Sequence, residues 1–312
     1  MAGVPQRLPL PPLELRELVG PTDPAHYDNP TGAPIHDGLP AEAWRAYLDF
    51  GCGCGRSARR LMQQDPRPAR YVGVDLHRGM VRWCEEHLAP HAAGFEFVHH
   101  DVYSPCLNPD PLLPWVRPLP VADRSITLME ATSVFTHLTE GQAEFYLDEV
   151  ARVLSATGRL VSTWFLFDKS GFPYMQDTQN ALYVNDRDPT NAVAYDRAWL
   201  VAGLAARDLV IARVRAPEMR GFHTRLEIVR ARSGQVPAEL PADDAPIGRR
   251  APPLLRARAA GFGPDGVDPG EPMAEWPRCE PPPLNPLALE LQAAKERIAK
   301  LEATRDRPRR RR

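Results

Sequence analysis

The middle of the chain alternates short apolar runs with segments of helical periodicity. Five apolar runs predict buried strands: AYLDF at 46–50, RYVGVD at 70–75, FEFV at 95–98, SITLME at 125–130 and RLVSTWFLF at 159–167. Between them, three segments repeat apolar residues every three to four positions and predict amphipathic helices: 56–64, 80–88 and the segment that begins at Thr139. Thr139 and Gln142 have the spacing of a capping box, which predicts the start of that last helix.

The order of these elements predicts the fold class. Strands that alternate with helices form mostly parallel sheets with helices on both faces. A further amphipathic helix near 196–206 precedes two strands, 208–214 and 222–230, and the loop between these strands is too short for a helical crossover. We therefore expect an α/β, Rossmann-like, doubly wound and mostly parallel sheet with a C-terminal antiparallel strand.

The distribution of proline predicts how the chain is divided. Of 35 prolines, nine fall within 1–40 and fourteen within 231–312, whereas three fall within 121–230. Proline-rich stretches are typical of loops and linkers. We predict five parts: an N-terminal proline-rich cap or substrate segment at 1–40, a folded cofactor-binding domain at 41–231, a disordered proline-rich linker at 232–283, an amphipathic helix at 284–304 and a basic tail at 305–312.

Charge and apolar content restrict the partners of the chain. A net charge of −2 argues against a chain-wide nucleic-acid surface, and the ending RDRPRRRR is typical of a solvated tail. No apolar run approaches the roughly 20 residues that span a bilayer. We recognise no signal peptide, and the five cysteines show no disulfide-framework spacing. These features predict a cytoplasmic protein without a membrane span.

Two groups of residues suggest a metal site. Cys52 and Cys54 follow the first predicted strand within the stretch LDFGCGCG at 48–55, but no second cysteine pair has zinc-site spacing. His99, His100 and Asp101 form the other group, and neighbouring residues of a strand point to opposite faces of the sheet. We therefore predict no metal at either place.

The glycine loop is compatible with two nucleotide cofactors. The motif Gly53-x-Gly55-x-x-Ala58 matches the dinucleotide fingerprint, and Asp75 ends the next strand, where an acid binds a ribose hydroxyl. Asp49 favours a cofactor with an ammonium group, because its charge repels a pyrophosphate. Asp101 follows the third strand, where its side chain can accept a hydrogen bond from an adenine amino group. These residues alone leave an NAD(P)-binding Rossmann oxidoreductase as the alternative.

In combination, these motifs resemble those of the class I S-adenosylmethionine-dependent methyltransferases. Members carry an L-D-x-G-C-G-x-G loop, an acid that ends the second strand and an aspartate after the third; here these are residues 48–55, Asp75 and Asp101. The stretch SVFTHLTEGQAEFYLDEVARVLSATGRLVSTWFL at 133–166 resembles the region after the fourth strand of bacterial members, including their S-V-F-T-H-L turn. The resemblance covers about residues 13–230.

The resemblance implies an S-adenosylmethionine-dependent methyltransferase and the residues that hold its cofactor. By position these are Asp49, Phe50, Gly51, Gly53, Gly55, Asp75, Leu76, Asp101, Val102 and Ala131. The glycine loop would hold the methionine part of the cofactor, Asp75 the ribose hydroxyls, and Asp101 with the Val102 backbone the adenine. The chain departs from the family pattern at Thr127 and at Thr157-Gly158, which are positions of structural importance in most members.

The resemblance also implies a small-molecule or glycan acceptor, methylated on oxygen rather than nitrogen. An oxygen acceptor needs a base that removes its proton. His137 follows the fourth strand and is the candidate base; its alternative role is to order the turn before the next helix. His223, Glu130 and Asp168 are further candidates. Aromatic residues predicted to line the acceptor pocket or a lid lie in a loop at 164–195: Trp164, Phe165, Phe172, Tyr174 and Tyr183.

The C-terminal helix suggests a second alternative. Its apolar residues at 284–301 have heptad spacing, which predicts a weak homo-oligomer, although so short a helix can also dock on its own domain. A non-catalytic cofactor-binding protein used for assembly is therefore the other function that the sequence leaves open.

Overall fold

The computed structural model of the protein describes residues 8–172, 175–184, 188–215, 223–232 and 236–240. The strands are β1 (Ala46–Phe50), β2 (Arg70–Asp75), β3 (Phe95–His99), β4 (Ile126–Ala131), β5 (Leu154–Phe167), β6 (Ala181–Tyr183), β7 (Val193–Asp196), β8 (Leu209–Arg215) and β9 (Thr224–Arg230). The α-helices are α1 (Leu13–Val19), α2 (Arg56–Gln63), α3 (Arg78–His87), α4 (Glu140–Val153) and α5 (Arg197–Ala205). Each helix and strand predicted from the sequence within 46–230 is present among them.

Within the described part of the chain, nine strands form one sheet with the central order β3-β2-β1-β4-β5. These five strands are parallel. β9 pairs antiparallel with β5 and with β8, while the end of β5 pairs in parallel with β7, which pairs with β6. The α/β fold class with a C-terminal antiparallel strand is therefore confirmed.

Helices cover both faces of the sheet. α2 and α3 lie on one face, where Leu61 packs in the same apolar cluster as Tyr71. α4 and α5 lie on the other face, where Leu147 and Leu204 share a cluster with Val72. Complete burial of such side chains stabilises a fold by roughly 1.5–3 kcal/mol each. Because the helices cover the faces, the carboxyl ends of the parallel strands are left to form a site.

α4 begins as the sequence predicts. The Gln142 N–H donates to the Thr139 hydroxyl, and the Thr139 N–H donates to the Gln142 side-chain oxygen at 2.9 Å. These bonds satisfy two N–H groups that would lack partners at a helix start, and such caps contribute roughly 0.5–2 kcal/mol. The predicted capping box is confirmed.

The structure corrects the prediction of a single loop over 164–195. β5 extends to Phe167, and Trp164 is completely buried with its ring centroid 4.1 Å from that of Phe135. The short strands β6 and β7 follow, which the sequence did not predict because they have three and four residues. Trp164 is therefore a core residue and does not line an acceptor pocket.

Several predictions fall outside the described residues. These are the assignments of Tyr174, of the helix at 284–304, of the tail at 305–312 and of most of the linker. One described piece of that linker contacts the domain, since the Ala238 N–H donates to the Ile211 carbonyl at 2.8 Å. Across the described ranges, no helix has both the length and the apolar character needed to cross a bilayer.

Candidate functional site

The carboxyl ends of the parallel strands meet at one edge of the sheet. The strand order reverses there between β1 and β4, and ligands of open α/β sheets bind in the crevice at such a point. The strand register places Asp49 beside Glu130 of β4, and Asp75 beside His99 of β3. The sheet thus brings together four segments: the loop after β1, the end of β2, the turn after β3 and the end of β4.

The loop after β1 has a left-handed backbone that only glycine adopts readily. Gly51 has φ +85° and Gly53 has φ +52°, and the Gly53 N–H donates to Asp75 Oδ2 at 2.8 Å. A Cβ on Gly51 would lie 2.5 Å from Val134 Cγ2, and one on Gly53 would lie 2.7 Å from Val19 Cγ1. The glycines therefore permit both the turn and the close approach of two valines from distant parts of the chain.

Asp75 presents a carboxylate at the end of β2. Its Oδ2 accepts from the Gly53 N–H and its Oδ1 accepts from the His77 N–H, both at 2.8 Å. Burial raises the pKa of this carboxyl, while the two backbone N–H donors oppose that rise. Each carboxylate oxygen has two lone pairs, so one on each remains to accept a hydrogen bond from a hydroxyl.

Asp49 is buried in β1, with 3 % of its surface exposed. The Tyr71 hydroxyl donates to its Oδ2 at 2.7 Å. Burial raises the pKa of Asp49 well above its usual value, and the nearby charge of Glu130 raises it further. A cation that approaches this carboxyl would favour its ionised form.

Asp101 and Val102 lie in the turn after β3. The Asn108 side-chain amide donates to Asp101 Oδ1 at 3.2 Å and to the Val102 carbonyl at 2.9 Å. The Val102 N–H donates to the His100 carbonyl at 2.7 Å. Asn108 thus orders the turn that the sequence assigns to the adenine, and that assignment stays a prediction.

The remaining predicted cofactor residues are at the same edge but differ in environment. The Leu76 carbonyl lies 3.0 Å from His99 Nε2. Phe50 points into the core on the α4 face, where its ring centroid lies 4.7 Å from that of Tyr146. Ala131 is completely buried at the end of β4. For Phe50, the backbone is therefore the part that could contact a ligand.

Glu130 is the centre of a buried polar network that the sequence did not predict. The Tyr47 hydroxyl donates to its Oε2 at 2.6 Å and the Thr132 hydroxyl to its Oε1 at 2.8 Å, while His36 Nε2 lies 3.7 Å from Oε2. Burial opposes ionisation of Glu130, but His36 and the two hydroxyl donors hold its pKa below the usual value. His36 and Tyr47 are far from Glu130 in the sequence, so no local pattern indicates that the three residues are in contact.

The turn after β4 is held in place by residues of other elements. Ser133 has φ +57°, and its N–H donates to the Thr163 hydroxyl of β5 at 2.7 Å. His137 Nδ1 lies 3.0 Å from the Thr190 carbonyl, and the Thr190 N–H and hydroxyl both donate to Asp188. Because a carbonyl oxygen only accepts, Nδ1 carries the proton, and the lone pair of the neutral imidazole is on Nε2.

The other candidate bases have different surroundings. Glu130 already accepts from Tyr47 and Thr132. Asp168 accepts from the N–H and the hydroxyl of Ser170, and those bonds lower its pKa. His223 is buried beside Phe165, with the ring centroids 4.7 Å apart. His137 differs from these three in that a backbone carbonyl fixes its ring tautomer, and its role as a base stays a prediction.

The three cysteines near the loop are buried thiols. Cys52, Cys54 and Cys84 are free, and burial raises the pKa of each. Within the described ranges, no group of three metal-binding side chains comes together. The His99 and His100 rings face different partners, the Leu76 carbonyl and the Tyr146 hydroxyl.

The donors and acceptors at this edge fit a cofactor that combines a nucleoside with a charged amino acid. Asp75 retains acceptor capacity for ribose hydroxyls, and Asp49 is a buried carboxyl that gains from a neighbouring cation. Gly55 begins α2 without a side-chain cap, in the left-handed conformation. The glycine loop therefore offers backbone rather than side chains to the ligand.

Comparison with known proteins identifies one family model and several solved structures. The model described as a methyltransferase domain matches residues 48–158. The YcgJ protein of Bacillus subtilis is 21 % identical over 55 % of this chain and 64 % of its own, with a TM-score of 0.39, so the chain covers just under two thirds of it. A SAM-dependent methyltransferase of Methanosarcina mazei is 18 % identical over 63 % of this chain and 96 % of its own, with a TM-score of 0.43. The O-methyltransferase NcsB1 from neocarzinostatin biosynthesis, solved with S-adenosylmethionine and a naphthoic acid, is 14 % identical over 62 % and 50 %, with a TM-score of 0.42.

Proposed function

We propose that this class I S-adenosylmethionine-dependent methyltransferase methylates an oxygen atom of a small molecule or a glycan. Its family rests on the domain match over residues 48–158 and on the motifs at the glycine loop, Asp75 and Asp101. The match favours S-adenosylmethionine over the dinucleotide alternative that the glycine fingerprint left open. The cofactor is S-adenosylmethionine, and the acceptor and its reacting atom are the subject of the proposal.

The residues of this chain have distinct roles in the proposed site. Asp75 binds the ribose hydroxyls, Asp101 the adenine, and Asp49 with the glycine loop the amino-acid part of the cofactor. When bound, S-adenosylmethionine supplies an electrophilic methyl group on a positive sulfur. The protein then has to align the acceptor with that methyl group and exclude water from the site.

The proposal of an oxygen acceptor rests on the environment of His137. The Thr190 carbonyl fixes the proton on Nδ1, so Nε2 is the basic nitrogen of the neutral ring. A hydroxyl acceptor must lose its proton as it is methylated, and a positioned imidazole of this tautomer can take it. Two other residues keep this arrangement in place. Asp188 accepts a hydrogen bond from the Thr190 hydroxyl, and the Tyr195 hydroxyl donates to the Phe135 carbonyl at 2.9 Å.

The proposed function is tested by the substitution His137→Ala. We expect unchanged affinity for S-adenosylmethionine and a turnover lowered by roughly 10²–10⁴-fold, the usual contribution of a general base. The acceptor is first found by incubating the enzyme with methyl-labelled cofactor and fractionated small-molecule and glycan extracts. Calorimetric titration of the variant with the cofactor supplies the affinity.

Two outcomes would contradict the proposal. If His137→Ala lowers the melting temperature but leaves turnover per folded molecule unchanged, the residue only orders the turn. If the labelled methyl group is found on a nitrogen atom of the product, the proposal of an oxygen acceptor is wrong. His87→Ala serves as the matched control, because His87 is an exposed histidine of α3 whose Nδ1 also lies 3.0 Å from a backbone carbonyl, that of Trp83.

A further inference from the structure

Helix α1 lies directly on the glycine loop. Its residues Leu15, Leu18 and Val19 pack against a buried cluster that contains Cys54 of the loop and Met80 of α3. Val19 Cγ1 is 2.7 Å from the position that a Cβ on Gly53 would take. Gly53 thus belongs to the proposed cofactor loop and is also the contact point of α1.

α1 has little that holds it in place by itself. It has seven residues, none of them buried, and its N-cap is Pro12, which forms no side-chain cap. Isolated helices of this length are not stable in water, because the few hydrogen bonds that they form do not offset the free energy needed to order the first turn. The position of α1 must therefore depend on the segments that flank it.

Both flanks of α1 are bound by one side chain, Arg59 of α2. Its guanidinium donates to the Leu8 carbonyl at 3.0 Å and to the Pro9 carbonyl at 2.9 Å, before the helix. It also donates to the Tyr27 carbonyl at 2.8 Å and to the Asp28 carboxylate, after the helix. Arg59 is the residue that joins the two ends of this segment to the helix that follows the glycine loop.

The burial of Arg59 shows that these bonds are needed. Only 3 % of its surface is exposed, and a buried charge is costly unless hydrogen bonds and an opposite charge compensate it. The planar guanidinium carries five N–H donors in a fixed fork, so it can bind carbonyls on two sides at once. A lysine ammonium has three donors on a single nitrogen and cannot span both flanks.

We propose that residues 8–28, which we call the N-terminal wall, close the methionine side of the cofactor pocket, and that Arg59 is the positioning residue that keeps this wall docked. The proposal rests on the proposed cofactor site at the glycine loop. The wall slows release of bound S-adenosylmethionine because α1 must leave Gly53 before the ligand can depart past it. Arg59 itself acts through the wall and does not contact the ligand.

The first test compares Arg59→Met and Arg59→Lys with the wild type. Both variants should bind S-adenosylmethionine roughly 10- to 100-fold more weakly, because apparent affinity falls with the fraction of molecules whose wall is docked. The dissociation rate, measured by stopped-flow displacement, should rise. The lysine variant should resemble the methionine variant, because a positive charge without the planar guanidinium cannot form the hydrogen bonds to both flanks of α1. Arg82→Met is the matched control: Arg82 is 76 % exposed on α3 and pairs with Glu86.

A second variant covers the case in which the Arg59 variants do not fold. Val19→Ala removes the contact with Gly53 but leaves Arg59 and the fold untouched, and it should speed cofactor dissociation several-fold. Val201→Ala is its control, because Val201 is a half-exposed valine on α5. Circular dichroism melting of each variant shows whether the domain is folded.

The outcomes separate this proposal from the proposed function. If folded Arg59 variants and Val19→Ala have the affinity and dissociation rate of the wild type, the N-terminal wall does not close the pocket and the proposal is wrong. These measurements use cofactor binding alone, so an error in the oxygen acceptor or in the role of His137 leaves them unaffected. A wild type that does not bind S-adenosylmethionine would overturn the cofactor site itself, and with it the wall.

Discussion

At the scale of single residues, Asp49 combines a cost to stability with its proposed role in cofactor binding. It is a carboxyl inside a buried strand, next to Glu130 in the register and bonded by Tyr71. Its raised pKa means that the folded protein holds this proton more tightly than the unfolded chain does. As pH rises above about 4, the unfolded chain loses the proton first, so Asp49 destabilises the fold at neutral pH.

Asp49→Asn should therefore be more stable than the wild type at pH 7. We expect a melting temperature higher by roughly 2–4 °C, the shift that about 1 kcal/mol produces in a domain of this size. The difference should vanish near pH 3, where the side chain at position 49 is neutral in both the folded and the unfolded protein. Affinity for S-adenosylmethionine should fall by roughly 10- to 100-fold, because a charged hydrogen bond is lost.

Calorimetry at both pH values and titration with the cofactor measure these effects. Asp177→Asn is the control, since Asp177 is an exposed acid outside the site. A variant that is less stable at pH 7, or that binds the cofactor as tightly as the wild type, would show that Asp49 is an ordinary structural acid.

At the scale of elements, the β6–β7 hairpin supports the turn after β4. The Tyr195 hydroxyl of β7 donates to the Phe135 carbonyl at 2.9 Å and also bonds the Leu138 carbonyl. Thr190, in the connection between β6 and β7, accepts from His137. The hairpin therefore places both ends of the turn that carries the proposed base.

Tyr195→Phe should loosen that turn without disturbing the cofactor site. Loss of the hydroxyl leaves two carbonyls without their donor, at a cost of roughly 1–3 kcal/mol. We expect a lower melting temperature, an unchanged cofactor affinity and a lower turnover. Tyr146→Phe is the matched control, because it removes a buried tyrosine hydroxyl of α4 that bonds the His100 ring and not the turn after β4. Equal turnover in the two variants would show that the hairpin does not position His137.

At the scale of the whole molecule, residues 236–240 pack on the folded domain. Proline content predicted that the domain stops at residue 231, but Ala238 bonds Ile211, and Leu240 packs beside the main core. The contact covers the outer edge of β8, which has β9 on its other side. Within the described residues, the packed part of the chain therefore extends to residue 240.

A chain of residues 1–240 should fold and bind S-adenosylmethionine like the full chain. A chain that ends at 231 should melt at a lower temperature, because it lacks the contacts of Ala238 and Leu240. Sedimentation of the full and shortened chains also tests the weak self-association predicted for 284–304. Loss of cofactor binding in the 1–240 chain would mean that the helix predicted at 284–304 packs on the domain.

The sequence by itself determined the order of the five parallel strands, of the helices between them and of the last two strands. Strands and helices are encoded by the spacing of apolar residues within about ten positions, and that information is complete within each segment. The capping box at Thr139 is equally local. The glycine loop, Asp75 and Asp101 are recognisable because each lies at or just after the end of a strand. Their common edge therefore follows from the parallel sheet.

The tertiary structure alone decided which distant residues meet around that loop. Tyr47 bonds Glu130 across 83 positions, Arg59 binds carbonyls about 30 and 50 positions away, and Val134 and Val19 approach the glycines from opposite directions along the chain. The burial of Trp164 and Arg59 likewise depends on what packs against them. Such contacts result from the packing of whole elements against one another. The periodicity of apolar residues indicates only which face of an element is buried, and it does not indicate which side chains of other elements that face contacts.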